Sequence, residues 1–419
     1  MEFEKKIDID DIRLNLVSQK FNTFKIEDVR DEVFRELDRL NAKDLITPNM
    51  KIAITAGSRG ISNIPVIMKA TCDYIKDAGA DPFIVPSMGS HGGATAEGQR
   101  HVLTELGITE ESMGCPILSS MDVVKLGETD RKVPVYMDKN AYSADGIVVV
   151  NRIKPHTDFN SDTESGLLKM IAVGLGNAKG CATMHSYGLR TSIPAAAKVS
   201  MKAVNIMFGL GIVENSKDET YKLKALLPED FEREEKELLK EAKEIVPKLP
   251  TDFLDLLIVK EMGKMISGTG MDTKVIGRIR ILGEVEPEKP VIKKLVILNL
   301  SEASYGNALG VGLADITTKK LVESIDFEAT YANTISTTFL ERGKIPITMS
   351  TDKEAIQIGL NTVGELDAET VKVGIIENTL DLQRLYLSDA VLKDIDESKI
   401  EVLKRDIKFL FDEDGNLII

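Results

Sequence analysis

The sequence predicts an α/β protein made of two α/β domains with mainly parallel sheets. Three observations lead there. Short runs with continuous apolar centres, Lys51–Thr55 (KIAIT), Pro82–Pro86 (PFIVP) and Gly146–Val150 (GIVVV), alternate with longer amphipathic stretches. Strands without polar alternation are covered on both faces, as in a parallel sheet. The 419 residues hold two or three domains at ~100–200 residues each. Pro247 and Pro250 end a highly charged stretch, after which apolar runs resume. The boundary is therefore placed there, giving an N-terminal domain over 1–248 and a C-terminal domain over 249–419.

The elements follow in order. Residues 26–43 read as a charged amphipathic helix. After strand 51–55 comes the Gly/Ser/Arg loop Ala56–Asn63, then a helix over Ile64–Ala78 with Pro65 in its first turn, where a missing N–H is harmless. Strand 82–86 leads into the glycine-rich loop Ser87–Thr95 and a helix over Ala96–Leu106. Strand 146–150 leads into the polar loop Asn151–Ser165. Ser192–Phe208 reads as a helix of small residues. Pro228–Val246 carries Phe231, Leu238, Leu239, Ala242 and Ile245 on one stripe of an otherwise charged helix. Beyond the boundary, Phe253–Val259, Lys294–Leu300, Ile345–Met349 and Val373–Ile376 read as strands, with helices near 315–325 and 352–360.

Composition excludes several classes. Charged residues make up 29% and apolar residues 43%, an ordinary globular mix. The 53 Lys+Arg against 67 Asp+Glu give a net charge of −14, which argues against a nucleic-acid partner. No run of ~18 apolar residues is present, so no membrane partner is expected. The charged start MEFEKKIDIDDI is unlike a signal peptide. Cys72, Cys115 and Cys181 are odd in number and widely spaced, which suggests a reducing cytoplasm and no disulfide framework. Gly174-x-Gly176-x-x-x-Gly180 does not match a dinucleotide fingerprint, and no Walker lysine signature occurs.

Four histidines are present, and two stand in matched places. His91 and His156 each follow a buried strand, where parallel sheets collect ligands. Imidazoles titrate near neutrality, so the two suit an acid/base pair. The simpler reading is that each satisfies a loop carbonyl. His185 could ligate a metal, or merely end a helix. His101 reads as a surface residue. Lys169 is one charge in an apolar and glycine stretch, Ser165–Gly176. Its ammonium must be paired, deprotonated or covalently modified if it is buried; otherwise it snorkels outward. Arg59, flanked by Ser58 and Gly60, suits a phosphate or carboxylate, or is a plain turn arginine.

The ordered set Arg59, His91, His156, Lys169 and His185, with 16 residues from Lys169 to His185, resembles the nickel-pincer-nucleotide lactate racemase family over roughly residues 50–190. The resemblance implies an active site in the cleft between the two domains. It implies a pyridinium mononucleotide bearing sulfur groups, tethered to Lys169 through a thioamide and holding nickel in a sulfur–carbon–sulfur pincer, with His185 as the fourth ligand. His91 and His156 would be the catalytic bases, one for each face of the substrate, and Arg59 would meet an anionic group. The implied activity is racemisation or epimerisation of a small 2-hydroxy acid, lactate-like or a sugar acid, with cofactor maturation enzymes as partners. Ala56 replaces an acidic residue of the family, Gly166-Leu-Leu-Lys169 replaces Gly-Gly-Arg-Lys, and no tryptophan is present. These differences bear on the substrate more than on the chemistry. In the C-terminal domain, Ser267–Asp272, Lys274 and Arg278 are candidates for further polar groups. Two other readings stand beside this one. One is a metal-dependent hydrolase with His91, His156 and His185 as ligands; the other is a two-lobed anion-binding protein.

Overall fold

The computed structural model describes residues 7–419; the first six residues of the charged start lie outside them. The strands are β1 Leu14–Gln19, β2 Lys51–Ala56, β3 Asp81–Pro86, β4 Val123–Glu128, β5 Pro134–Asp138, β6 Gly146–Arg152, β7 Ile206–Glu214, β8 Thr220–Leu226, β9 Phe253–Met262, β10 Val291–Leu300, β11 Ile316–Thr318, β12 Ile347–Met349, β13 Val373–Ile376, β14 Arg384–Ser388 and β15 Ile400–Ile407. The longer helices are α1 Val29–Arg39, α2 Ile64–Asp77, α3 Ala96–Glu105, α4 Asn177–Ser186, α5 Leu189–Ala203, α6 Phe231–Ile245, α7 Phe327–Thr337 and α8 Asp352–Asn361. Among the described residues, no helix is long and apolar enough to cross a membrane.

The chain forms two compact units. One holds Asn22–His156 and Asn160–Val246; the other holds residues 7–21, Thr157–Phe159 and Pro247–Ile419. One change of unit falls at Val246/Pro247. The N-terminal strand, however, belongs with the C-terminal unit. β1 pairs antiparallel with β14 (Leu16↔Tyr386) and with β15 (Val17↔Val402), so its ladder bonds are all made there.

The N-terminal unit is built on a five-stranded sheet of order β3-β2-β6-β7-β8. All neighbours are parallel except β7 and β8. Ile52, Ile54, Val148, Val150, Phe208, Leu210 and Ile212 point into one core with α1 and α2. On β7 the opposite face carries Gly209 and Gly211. A Cβ at Gly209 would come within 2.8 Å of Leu167 and of Phe231 on α6. Those glycines let α6 and the Leu167 turn lie directly on the sheet. The helix expected over Ser192–Phe208 is thus two elements: α5 stops at Ala203, and β7 begins at Ile206. β4 and β5 form a separate antiparallel hairpin.

The C-terminal unit has an eight-stranded sheet of order β12-β11-β10-β9-β13-β14-β1-β15. It is parallel from β12 to β13 and antiparallel from β13 to β15. Its two faces bury separate cores, one around Leu257, Val259, Leu295 and Ile297, the other around Leu256, Ile258, Val296 and Ile356 of α8. Arg342 is 2% exposed and pairs with Asp158 at 2.6 Å. Its Nη2 also donates to Ile279 O. Thr273 and Lys274 donate to the carbonyls of Thr157 and Phe159, so these hydrogen bonds and the ion pair to buried Arg342 hold the three-residue excursion.

Removing one partner of a buried ion pair leaves an uncompensated charge. Asp158→Ala should lower stability in chemical denaturation by on the order of 3 kcal/mol, and adding Arg342→Met should restore part of the loss.

Candidate active site at the carboxyl edge of the five-stranded sheet

From β2 the chain proceeds to β3 on one side, whereas β6 leads to β7 on the other. The β2/β6 boundary is therefore a topological switch point, the kind of place where open parallel sheets bind ligands. Backbone pairing between them runs through Ile54↔Val148. Beyond it the buried Thr55 hydroxyl takes over, accepting from Val150 N–H at 2.9 Å and donating to Val150 O at 3.3 Å.

The loops on this edge are joined to one another. After β2, Ser58 Oγ lies 2.5 Å from His91 Nδ1. Arg59 is the next residue and is exposed. After β3, Gly89 has φ +60°, a left-handed conformation that favours glycine. Its N–H donates to Gly174 O at 3.2 Å, and its carbonyl accepts from the buried Gln99 side chain at 2.9 Å. His91 is exposed at the end of this loop. At the end of β6, Asn151 Nδ2 donates to Gly166 O at 2.7 Å.

Lys169 ends a short helical turn, Leu167–Lys169, which continues as a π-helical turn over Met170–Gly174. Such turns concentrate at functional sites. Leu167, Leu168, Met170 and Ile171 are buried while Lys169 is half-buried. The start of the turn is held by Glu235 of α6. Its Oε2 accepts from Leu168 N–H at 3.1 Å, with Leu167 N–H as a second donor. The carboxyl group occupies the space a Cβ would take at Gly166. Glu235 is 1% exposed, and its Oε1 has no hydrogen-bond partner. Burial pushes its pKa up to about 7 against the pull of the two backbone donors.

His185 is exposed on the last turn of α4. One turn earlier on the same helix is Cys181, whose Sγ lies 3.8 Å from Ser90 Oγ. A Cβ at Gly89 would come within 3.1 Å of this thiol. Burial raises the Cys181 pKa, but the hydrogen bond to His185, with the imidazole charge and Ser90, outweighs burial and holds it below the ordinary thiol value. The start of α4 is fixed by Asn177, which donates to the buried Asp138 at 2.9 Å. Burial raises the Asp138 carboxyl above its usual range.

His156 is half-buried on the loop after β6. Its N–H donates to Glu164 Oε2 at 2.6 Å. Glu164 is fully buried; its Oε1 accepts from Ser161 N–H and from Lys243 Nζ at 2.5 Å. The carboxylate nearest to Lys169 in sequence thus organises the His156 loop and has Lys243 as its cation.

The structure accordingly ties the His91 loop, the Lys169 turn and the His185 helix together at one sheet edge, with Arg59 beside them. His156 follows the neighbouring strand. His101 is exposed and faces Glu105, as a surface residue does. In the C-terminal unit Arg278 is buried, pairs with Asp315 at 2.8 Å and donates to backbone carbonyls, so it is a structural residue. Ser267 bonds to Thr269, and Asp272 caps the turn at Lys274. Three residues not singled out in the sequence join the site: Ser58, Cys181 and Glu235. Cys181 stands four residues before His185, on the same helix face. Glu235 occupies the apolar stripe of α6, between Phe231 and Leu238. Among the described residues, no three His, Cys, Asp or Glu side chains are grouped to hold a metal.

A carboxyl with a raised folded pKa binds more protons folded than unfolded between pH 4.5 and about 7, so its contribution to stability falls as pH rises through that window. Glu235→Gln removes this term. The stability difference between variant and wild type, followed by urea denaturation, should shift in the variant's favour by about 3 kcal/mol from pH 4.5 to pH 8.

Among curated proteins none matches. Among solved structures, the lactate racemase apoprotein from Thermoanaerobacterium thermosaccharolyticum is 14% identical, with a TM-score of 0.46, over 83% of this chain and 95% of that one. Residues 4–197 match the family model of the lactate racemase N-terminal domain. This stretch, a little under half of the chain, contains Arg59, His91, His156, Lys169 and His185.

Proposed function

We propose that the protein is an isomerase, a racemase or epimerase of a small 2-hydroxy acid that is lactate-like or a sugar acid, and that it works with a lysine-tethered nickel-pincer nucleotide. The observation that carries this reading is the linkage of the His91 loop, the Lys169 turn and the Cys181–His185 helix at one sheet edge, within the segment that matches the family.

The side chains present fit such a group. Lys169 would form the tether. Acylation removes its charge, which suits a turn flanked by buried Leu168, Met170 and Ile171. His185 would ligate nickel through a ring nitrogen, a donor that suits square-planar nickel alongside sulfur. The exposed Arg59 guanidinium would meet a phosphate or carboxylate. When bound, the nucleotide would supply an electrophilic ring that accepts the substrate's C2 hydrogen with its bonding pair and gives it back.

The protein's part is proton transfer and positioning. The C–H of a 2-hydroxy acid is a poor acid, so inversion through a carbanion is unattractive. Loss of the C2 hydrogen with its electrons becomes easier when a base removes the hydroxyl proton at the same time. His91 and His156 would be those bases, one for each face of the planar keto acid; one takes the proton and the other returns it. For His91 to accept at Nε2, its Nδ1–H must donate to Ser58 Oγ, 2.5 Å away. Ser58 would then accept that hydrogen bond and hold the ring orientation. The hydrolase reading would instead require His91, His156 and His185 to act together as metal ligands.

Lys169→Arg keeps the charge but cannot be acylated, because guanidinium stays protonated. Protein from a host with the maturation enzymes should show an adduct on Lys169 by intact mass. Lys169→Arg should lack both adduct and racemisation; full activity in that variant would end the tethered-cofactor reading. His91→Ala and His156→Ala should each abolish racemisation and keep adduct and nickel, whereas loss of nickel would favour the hydrolase reading. Ser58→Ala should lower kcat roughly tenfold with the adduct unchanged.

A further inference from the structure

Cys72 and Cys115 stand far apart in the sequence, yet the fold brings them together. Cys72 lies on α2 and is 0% exposed; Cys115 is 6% exposed. Their sulfurs are 3.6 Å apart, so closing a bond of ~2.0 Å needs a movement of about 1.6 Å. We propose that these two thiols form a reversible intramolecular disulfide, a redox-sensitive staple between α2 and the segment that runs beside β3.

The surroundings assign the two sulfurs different roles. Cys115 follows the left-handed cap residue Gly114 and precedes Pro116, whose carbonyl accepts from Ile84 N–H of β3 at 2.9 Å; Leu118 N–H returns a bond to Ile84 O at 2.9 Å. The backbone on that side is therefore set in the sheet frame. Lys76, one turn after Cys72, donates to Gly114 O and places a cation near the pair. The hydrogen bond from Cys72 favours the Cys115 thiolate; burial opposes it, and Lys76 and Lys69 add to it. Cys72 is pushed the other way, first by the same hydrogen bond and then by burial. Cys115, the more exposed sulfur, is the one a small disulfide reaches first.

The oxidant is a low-molecular-weight disulfide. Cys115 Sγ attacks one of its sulfurs, forms a mixed disulfide and expels the first small thiolate. Cys72 gives its proton to solvent and attacks Cys115 Sγ, so that the protein disulfide forms and the second small thiolate leaves. Two protein thiols are oxidised by two electrons, and the small disulfide is reduced to two thiols, which take up the two protons. The enclosed chain contains β3, the Ser87–His91 loop and α3. The staple would hold the frame from which His91 projects, although neither cysteine belongs to the proposed catalytic set.

The test uses the full chain treated with hydroxyethyl disulfide or oxidised glutathione, then denatured and alkylated. The reduced protein should take up three alkyl groups and the oxidised protein one, at Cys181, with a single Cys72–Cys115 cross-linked peptide. The apparent Tm should rise by on the order of 5 °C on oxidation and return with dithiothreitol. Cys115→Ser should lose the cross-link and the Tm rise, and Cys181→Ser should keep both. Three alkylated thiols after both oxidants, a mixed disulfide that persists on Cys115, a cross-link through Cys181, or a Tm that stays or falls would each overturn the proposal.

Discussion

The divergence of β2 and β6 is the constraint on which the rest of the N-terminal unit depends. Two parallel neighbours whose chains leave toward opposite edges send the loops that follow them apart, the arrangement at which parallel sheets bind ligands. Thr55 marks the place: its buried hydroxyl continues to bond Val150 beyond the last backbone pair. Several links around the candidate site run between neighbouring segments rather than within one. Ser58 meets His91, Gly89 meets Gly174, and Asn151 meets Gly166. A site assembled this way is positioned by several short links, each worth about 1 kcal/mol in net terms. Their joint effect is to fix geometry more than to add stability.

Two buried carboxylates do more specific work. Glu164 gathers His156 N–H, Ser161 N–H and Lys243, so the His156 loop is fixed by a compensated charge. Glu235 caps the Lys169 turn with no cation beside it among the contacts that shift its pKa, and burial raises that pKa to about 7. The contrast follows from what each carboxylate supports. A polar loop can bring a lysine to its organiser. The Lys169 turn lies on the apolar face of β7, where Gly209 lets Leu167 and Phe231 reach the sheet, and there Glu235 accepts from the backbone N–H groups of Leu167 and Leu168. Buried polar groups that are incompletely satisfied concentrate where function needs a fixed backbone.

In the C-terminal unit the same economy appears in the excursion Thr157–Phe159. Arg342, almost fully buried, meets Asp158, while Thr273 and Lys274 take the flanking carbonyls. Arg278, with a charge that invited a role in binding, is spent on Asp315 and on backbone carbonyls near the parallel strands.

The parallel half of the fold was legible in the sequence because strands buried on both faces have continuous apolar centres, as 51–55, 82–86 and 146–150 do. Histidines directly after such strands could be placed at the carboxyl edge for the same reason. The antiparallel strands β1, β14 and β15 were not legible, since their pairing partners lie hundreds of residues apart and short, half-exposed runs carry little pattern. β7 was hidden because Gly209 and Gly211 remove the side chains that would have marked its second face. Glu235 was hidden because a single carboxylate on a charged helix looks like every other, and only the packing of α6 against β7 decides which one is buried. The sequence alone determined the α/β class, the strand-end histidines and the lysine in its apolar segment. Tertiary structure alone decided which groups hold them, because strand order and burial arise from contacts that local sequence does not encode.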